Sequence, residues 1–173
     1  FDLDVDDDGE TKALTDGLIT LRYLFGYSDA SLLADVAAPN AERSTSEEIL
    51  RYLDTNRAKL DVDGDGSAEA LTDGILILRD LFGISGDPLI QGSISSNATR
   101  NMGREVTDYI SSIKDSDNDG VNDSSDAFIL DPGEYVDTDG DGIGDNTDTN
   151  NNPGAVSGFS QRVSRDLRID NKK

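Results

Sequence analysis

The sequence predicts a mainly α-helical fold over residues 1–113, an irregular segment over residues 114–153 and a short β-strand in residues 154–173. Three observations predict this division. A pattern of alternating aspartates closed by glycine occurs four times, and a long segment is repeated at a fixed offset. Apolar residues at helical spacing follow the first two acidic patterns, whereas few apolar residues follow the last two.

The first 113 residues contain an internal duplication. Residues 3–56 align with residues 60–113 without a gap, at an offset of 57. Leu3 to Asp6 matches Leu60 to Asp63, and Ala13 to Gly17 matches Ala70 to Gly74. Since tandem copies of one unit adopt the same structure, each copy is expected to form an acidic loop followed by three helices.

The first helix of each copy carries one apolar stripe, with residues at i, i+4, i+7 and i+11. The stripe residues are Leu14, Leu18, Leu21 and Phe25 in the first copy, and Leu71, Ile75, Leu78 and Phe82 in the second. We interpret the stripe as core packing between the copies. Gly26 and Gly83 are expected to end these helices.

Two further helices are predicted in each copy. A short helix is expected over residues 30–37, and Asp87 and Pro88 are expected to open its counterpart, because proline suits a first helical turn. Ser44 and Glu47 form a capping-box pattern that predicts the start of the third helix.

Composition excludes several functional classes. The 36 acidic and 15 basic residues give a formal charge of −21, which opposes binding to nucleic acid and to anionic membranes. Cysteine and histidine are both absent, which removes disulfides, zinc sites and histidine-based catalysis. No apolar run approaches the roughly 20 residues of a membrane span. We therefore expect a non-enzymatic protein without a membrane span.

The four acidic patterns have the spacing of calcium loops. Such a loop binds its ion through positions 1, 3, 5, 7 and 12, and often through water at position 9, with glycine at position 6. The two last loops match this twelve-residue scheme in full. Their expected ligands are Asp115, Asp117, Asp119, Val121, Asp123 and Asp126, and then Asp137, Asp139, Asp141, Ile143, Asp145 and Asp148.

The first two loops are one residue longer, because their closing acids occupy position 13. The expected ligands are Asp4, Asp6, Asp8, Glu10 and Asp16 in the first loop, and Asp61, Asp63, Asp65, Ser67 and Asp73 in the second. Glu10, Ser67, Val121 and Ile143 would contribute backbone carbonyls.

About four Ca²⁺ ions are therefore expected in each chain. Magnesium fits less well, because it resists dehydration and seldom occupies an all-protein cage. A pair of glycosidase carboxylates is the catalytic alternative, but these acids repeat at ligand spacing. Extracellular calcium modules work at about 10⁻⁴ to 10⁻³ M affinity, so we expect an extracellular or cell-surface location.

The last segment, residues 154–173, differs in charge from the rest of the chain. Val163, Leu167 and Ile169 lie at even spacing, with five basic residues before, between and after them. This alternation favours a short β-strand near the end of the sequence. A frayed terminus or the start of a further domain is the alternative.

Residues 3–113 resemble bacterial dockerin repeats. The resemblance rests on the duplicated Asp-Val-Asp-x-Asp-Gly loop and on the helix that ends in Leu24-Phe25-Gly26 and Leu81-Phe82-Gly83. It implies an EF-hand-like, calcium-binding fold that docks secreted proteins onto partners without catalysis. The loops here are one residue longer than those of the family, and the helical insertion between them is also longer.

Residues 115–152 resemble thrombospondin type 3 repeats. Asp115 to Asp126, Asp137 to Asp148 and the linker through Phe128 and Pro132 carry this resemblance. It implies a backbone wound around calcium ions with little regular structure, as in stalks and spacers of bacterial surface proteins.

Together these features favour a secreted bacterial calcium-binding module that links proteins or assembles with itself, for example as a homopolymeric filament. The alternative is a non-catalytic appendage of a secreted polysaccharide-degrading enzyme or of a surface adhesin. A calcium sensor with a Met-rich groove is the least favoured reading, because Met102 is the only methionine.

Overall fold

The computed structural model describes residues 1–36, 38–117 and 119–149, and these residues form five α-helices and no β-strand. The helices are α1 (Leu18–Leu24), α2 (Ser46–Asn56), α3 (Ile75–Leu81), α4 (Asp87–Ile90) and α5 (Gly103–Ser111). The mainly α-helical prediction is confirmed for this part of the chain. The predicted strand within residues 154–173 lies outside the described residues.

A π turn precedes α1 and another precedes α3. These turns span Ala13–Gly17 and Ala70–Gly74. The Gly17 N–H donates to the Lys12 carbonyl at 3.1 Å, and the Gly74 N–H donates to the Glu69 carbonyl at the same distance. A bond to residue i−5 encloses one residue more than an α-helical turn. The π turn therefore accommodates the thirteenth residue of each long loop.

Helices α1 and α3 pack against each other in opposite directions. A methyl group added to Gly17 would lie 3.1 Å from Leu78 and Leu81, and one added to Gly74 would meet Leu21 and Leu24. The start of each helix thus lies against the end of the other, and glycine permits the close approach. The buried core extends through both copies, from Leu3 in the first acidic loop to Ile113 after α5.

The predicted apolar stripe is only partly buried. Leu21 and Leu78 contact the facing helix, but Leu14 and Phe25 are exposed to solvent, as are Leu71 and Phe82. The expectation of core packing is therefore wrong for these four residues. Leu14 and Leu71 lie in the π turns, where the 3.6-residue period fails, and Phe25 and Phe82 follow the last helical residue.

The fully buried helical positions lie elsewhere on α1 and α3. Ile19 in α1 and Leu76 and Ile77 in α3 are completely inaccessible to solvent. They belong to the same buried cluster as Val5 and Val62, which lie within the first two acidic loops. Each loop therefore contributes an apolar residue to the core directly between two of its acids.

Two predicted helix starts need correction. Residues 29–36 form isolated turns in place of the helix expected over 30–37, although α4 begins at Asp87 as predicted. The capping box of α2 uses Thr45 and Glu48, one residue beyond the predicted pair of Ser44 and Glu47. The Thr45 N–H donates to the Glu48 carboxylate at 3.1 Å. The first copy consequently has two α-helices and the second has three.

The described residues of 114–149 contain turns and bends only. This segment contacts the helical part of the chain at its beginning. The Thr11 hydroxyl donates to the Asp115 carbonyl at 3.4 Å, and the Ser124 N–H donates to the Ser111 carbonyl at 3.2 Å. Within the described residues, no helix is both long enough and apolar enough to cross a bilayer.

We expect Gly103→Ala to lower the free energy of unfolding by about 1–3 kcal/mol, because the added methyl group would overlap the Gly86 backbone. Helix propensity alone would give the opposite sign, since alanine is favoured over glycine by about 1 kcal/mol. Urea denaturation in calcium measures the change. Gly133→Ala is the control, because its methyl group would only touch the Asp131 carboxylate at 3.4 Å. A stabilised Gly103→Ala protein would contradict this packing.

Candidate metal centres

Each acidic loop gathers three carboxylates around one point. In every group, one oxygen from each of the three side chains lies within 4.8 Å of the others. The groups are Asp4, Asp6 and Asp8; Asp61, Asp63 and Asp65; Asp115, Asp117 and Asp119; and Asp137, Asp139 and Asp141. Positions 1, 3 and 5 of all four predicted loops therefore come together.

The carboxylate at position 1 closes the loop in the same way four times. Its Oδ2 accepts the N–H of the position-6 glycine at 2.9 Å in each case. The glycines are Gly9, Gly66, Gly120 and Gly142, with φ between +86° and +96°. Residues with a side chain rarely adopt this backbone conformation, so the loop favours glycine at position 6.

The carboxylate at position 5 forms a second recurrent contact. Its Oδ1 accepts the N–H of position 7, at 2.9 Å in the first, second and fourth loops and at 2.7 Å in the third. The position-7 residues are Glu10, Ser67, Val121 and Ile143, whose carbonyls the sequence predicts as ligands. This turn fixes the peptide that precedes each of those carbonyls.

The carboxylate at position 3 is left with an unsatisfied oxygen in three loops. Asp6 Oδ1, Asp117 Oδ2 and Asp139 Oδ2 are buried and have no hydrogen-bond partner among the described residues. Asp119 Oδ2, at position 5 of the third loop, is likewise buried and has no hydrogen-bond partner among the described residues. In the second loop, Asp63 instead accepts the Ser95 N–H at 2.8 Å and the Asp65 N–H at 3.2 Å. A buried carboxylate oxygen without a donor requires a partner, either water or a cation, and three carboxylates gathered at one point favour a cation.

The closing acids of the first two loops hold the backbone of the loop. Asp16 Oδ1 accepts the N–H groups of Val5 and Asp6 at 2.7 and 3.3 Å. Asp16 Oδ2 accepts the Lys12 N–H and the Thr15 hydroxyl, both at 2.8 Å.

Asp73 accepts the same four hydrogen bonds from the equivalent groups of the second loop, each 57 residues further along the chain. Their distances lie between 2.6 and 3.1 Å. Both closing acids are fully buried. They lie next to the triads without being among the grouped carboxylates, because their oxygens are directed to the loop backbone.

The position-9 acids of the last two loops also bond to their own loop. Asp123 accepts the N–H and the hydroxyl of Ser116 at 2.8 and 2.9 Å. Asp145 accepts the same two groups of Thr138 at 2.8 and 2.6 Å. These bonds are consistent with a position that reaches an ion through water.

The position-12 acids are placed less uniformly. Asp126 accepts the Phe128 N–H at 2.7 Å, and its charge contributes to the raised pKa of Asp117. Asp148 is partly buried, and its N–H donates to the Gly144 carbonyl at 2.8 Å.

Two arginines that sequence reasoning did not single out hold the first two loops against the helices. Arg43 donates to the carbonyls of Val5 at 2.7 Å and Asp4 at 2.5 Å. Its guanidinium also stacks on Tyr52, with 4.1 Å between the central carbon and the ring centre.

Arg100 repeats these contacts with the carbonyls of Val62 and Asp61, and it stacks on Tyr109 at 3.9 Å. The sequence did contain a signal for this pair. Arg43 and Arg100 are related by the offset of 57, as are Tyr52 and Tyr109.

Glu134 is a further acid that the loop pattern did not include. It is buried, its Oε2 accepts the Asn146 N–H at 3.0 Å, and its Oε1 has no partner among the described residues. The side chain lies against Gly144, where a methyl group would overlap it. Since Glu134 precedes the fourth loop in sequence, its position beside that loop could be seen only in the fold.

Burial and mutual repulsion both disfavour the charged form of these acids. Burial raises the pKa of Asp6 to about 6, and the charge of Asp16 adds to the shift. Burial also raises the pKa of Asp2, which precedes the first loop, to about 6. Two charges about 4.8 Å apart repel by roughly 3 kcal/mol near a protein surface. A divalent cation between them would remove this penalty.

No protein-family model matches this chain, and searches of curated proteins and of solved structures give no match. The function is therefore inferred from the geometry of the loops.

We expect the free energy of unfolding in chelator to fall by roughly 1–3 kcal/mol as the pH rises from about 4 to 7. A carboxyl whose pKa is raised by folding contributes stability that is complete below its ordinary pKa of 3.8. This contribution is lost as the pH rises through about 6, where Asp2 and Asp6 titrate. Urea denaturation across this range measures it. Excess calcium should reverse the slope, because the ion displaces protons; equal slopes in calcium and chelator would contradict the prediction.

Replacing Arg43 or Arg100 with lysine should lower the free energy of unfolding by about 1–3 kcal/mol. Lysine cannot donate to two carbonyls from one planar group while it stacks on a tyrosine ring. Arg104→Lys is the matched control, because Arg104 is exposed and forms a surface ion pair with Asp108. Thermal unfolding in calcium compares the three variants, and equal losses in all three would refute the assigned role.

Proposed function

We propose that this chain is a non-catalytic, extracellular calcium-binding module that links proteins or assembles with copies of itself. The unsatisfied position-3 oxygens of Asp6, Asp117 and Asp139 carry this proposal. Each is buried within a triad whose other members are already organised by glycine N–H and position-7 N–H donors. The arrangement provides oxygen ligands and negative charge, but no donor for the remaining oxygen.

Calcium is the cation that this arrangement favours. Carboxylate and carbonyl oxygens are hard ligands, and calcium accepts six to eight of them in flexible geometry. Magnesium requires a near-octahedral site and keeps several waters. Three carboxylates and one carbonyl in each loop, with further acids nearby, are consistent with calcium and with about four ions per chain.

The calcium ions would act differently in the two parts of the chain. In residues 1–113, the loops lie on a buried apolar core that extends through both copies. In residues 114–149, the described residues form turns only, and Leu130 and Tyr135 are among the exposed apolar side chains. The ions would therefore support an apolar core in the first part and replace one in the second.

The sequence resemblances to dockerin repeats and to thrombospondin type 3 repeats agree with this proposal. Residues 1–113 would be a duplicated dockerin-like domain with an EF-hand-like loop in each copy, and residues 114–153 would be a thrombospondin type 3-like segment wound around calcium. The one-residue insertion that separates the first two loops from the family pattern is accommodated by a π turn. The loops can thus keep their shape despite the additional residue.

An extracellular, non-enzymatic role fits the remaining chemistry. Without histidine and cysteine, the chain lacks the commonest general base and the thiol nucleophile. Extracellular calcium modules bind their ion at about 10⁻⁴ to 10⁻³ M, which matches the calcium available outside cells. Calcium would then serve as a permanent structural component of the folded module.

Calorimetric titration of the 173-residue chain should show uptake of about four calcium ions. Asp117→Ala and Asp139→Ala should each abolish one binding event or weaken it at least tenfold, because each removes a carboxylate ligand from one triad. Circular dichroism on the same samples should show ordering on calcium addition. Magnesium at equal concentration should bind at least tenfold more weakly.

Asp108→Ala is the matched control for this titration, because Asp108 is an exposed acid in a surface ion pair. It changes the net charge by the same amount and should leave the four binding events unaltered. The proposal fails if the wild-type chain takes up no calcium, or if the three variants behave alike.

A further inference from the structure

Six exposed apolar side chains recur at matching positions of the two copies, and together they are here named the apolar strip. Its members are Leu14, Phe25, Tyr27, Leu71, Phe82 and Ile84. They form three pairs related by the offset of 57. The exposed fractions are 65% and 67% for the two leucines, and 53% and 55% for the two phenylalanines. The same positions therefore remain apolar and exposed in both copies.

The antiparallel packing of α1 and α3 gathers these residues at two equivalent ends. Gly17 lies against Leu78 and Leu81, which brings the preceding Leu14 towards the end of α3, where Phe82 follows. Gly74 lies against Leu21 and Leu24, which brings Leu71 towards Phe25 by the same relation. Each end therefore combines a leucine from one copy with an aromatic residue from the other.

This exposure is unfavourable in an isolated chain. Full burial of one such side chain contributes about 1.5–3 kcal/mol, and clustered exposed apolar residues are characteristic of interaction surfaces. Asp29 and Asp87 are exposed and follow Tyr27 and Ile84 closely in sequence. An occupant of the strip would therefore combine apolar side chains with positive charge.

One segment of this chain has that chemistry. Residues 154–173 contain five basic and two acidic residues, a net charge of +3, which leaves −24 for residues 1–153. The same segment contains the apolar residues Phe159, Val163, Leu167 and Ile169. Attraction between opposite charges of this size favours docking and sets its orientation.

We propose that the apolar strip of one chain binds residues 154–173 of another copy. This inference rests on the proposed function, since it names the partner of the module. Each chain has one basic segment but two equivalent strip ends. Segments number half the strip ends, so a chain that receives one segment from another copy still presents an open end to a further copy. A head-to-tail contact of this kind generates extended assemblies when its rotation does not close a ring.

A complementation experiment tests this docking with the 173-residue chain in calcium. The strip variant carries Leu14→Ser, Phe25→Ser, Leu71→Ser and Phe82→Ser. The segment variant carries Val163→Ser, Leu167→Ser, Arg165→Glu and Arg168→Glu. Sedimentation velocity should show concentration-dependent assembly of the wild type and monomers for either variant alone. An equal mixture should form complexes of two or three chains. The segment variant keeps two intact strip ends, and each end can bind the intact segment of one strip variant.

Three results would overturn the proposal: a monomeric wild type at every concentration, a mixture that stays monomeric, or a segment variant that still assembles through its strip. Leu130→Ser with Met102→Ser is the control, since both residues are exposed apolar side chains outside the strip. This control should assemble like the wild type. Calcium titration of the wild type separates the two proposals: a wild type that binds calcium and stays monomeric refutes the docking alone, and a wild type that binds no calcium refutes the module itself.

Discussion

The repulsion among twelve clustered carboxylates is the constraint on which the rest of this structure depends. They form four groups of three with oxygens within 4.8 Å, and each charged pair repels by roughly 3 kcal/mol. Backbone N–H donors at positions 6 and 7 offset part of this energy in every loop, since a hydrogen bond to a charged group contributes about 1.5–3 kcal/mol. The hydrogen bonds thus hold the carboxylates together without a cation, and the remaining repulsion would favour the uptake of one.

The first two loops are connected to the helices from both sides. Asp16 and Asp73 join the start of each loop to the π turn before the following helix. Arg43 and Arg100 join the same loop backbone to tyrosines on α2 and α5. A cation that stabilises the loop would therefore also stabilise helix packing. In the described residues of 114–149, no helix is present to provide this coupling.

The expected ligands and the observed contacts agree at some positions and differ at others. Positions 1, 3 and 5 converge as predicted, because alternate residues of a tight, glycine-closed loop can reach one point. The closing acids of the long loops, Asp16 and Asp73, were predicted as ligands from their spacing, and the π turn also directs their oxygens to the loop backbone. Glu134 was missed because its neighbours, Gly144 and Asn146, lie ten and twelve residues further along the chain.

The sequence by itself determined the helical class, the acid triads and the chemistry that is excluded, because spacing and residue type act over a few neighbouring residues. Only the tertiary structure decided which residues are buried. The 3.6-residue period could not show that Leu14 and Phe25 are exposed while Ile19 is buried. That outcome depends on the π turn and on where α3 meets α1 at Gly17 and Gly74, and both are set by contacts between distant parts of the chain.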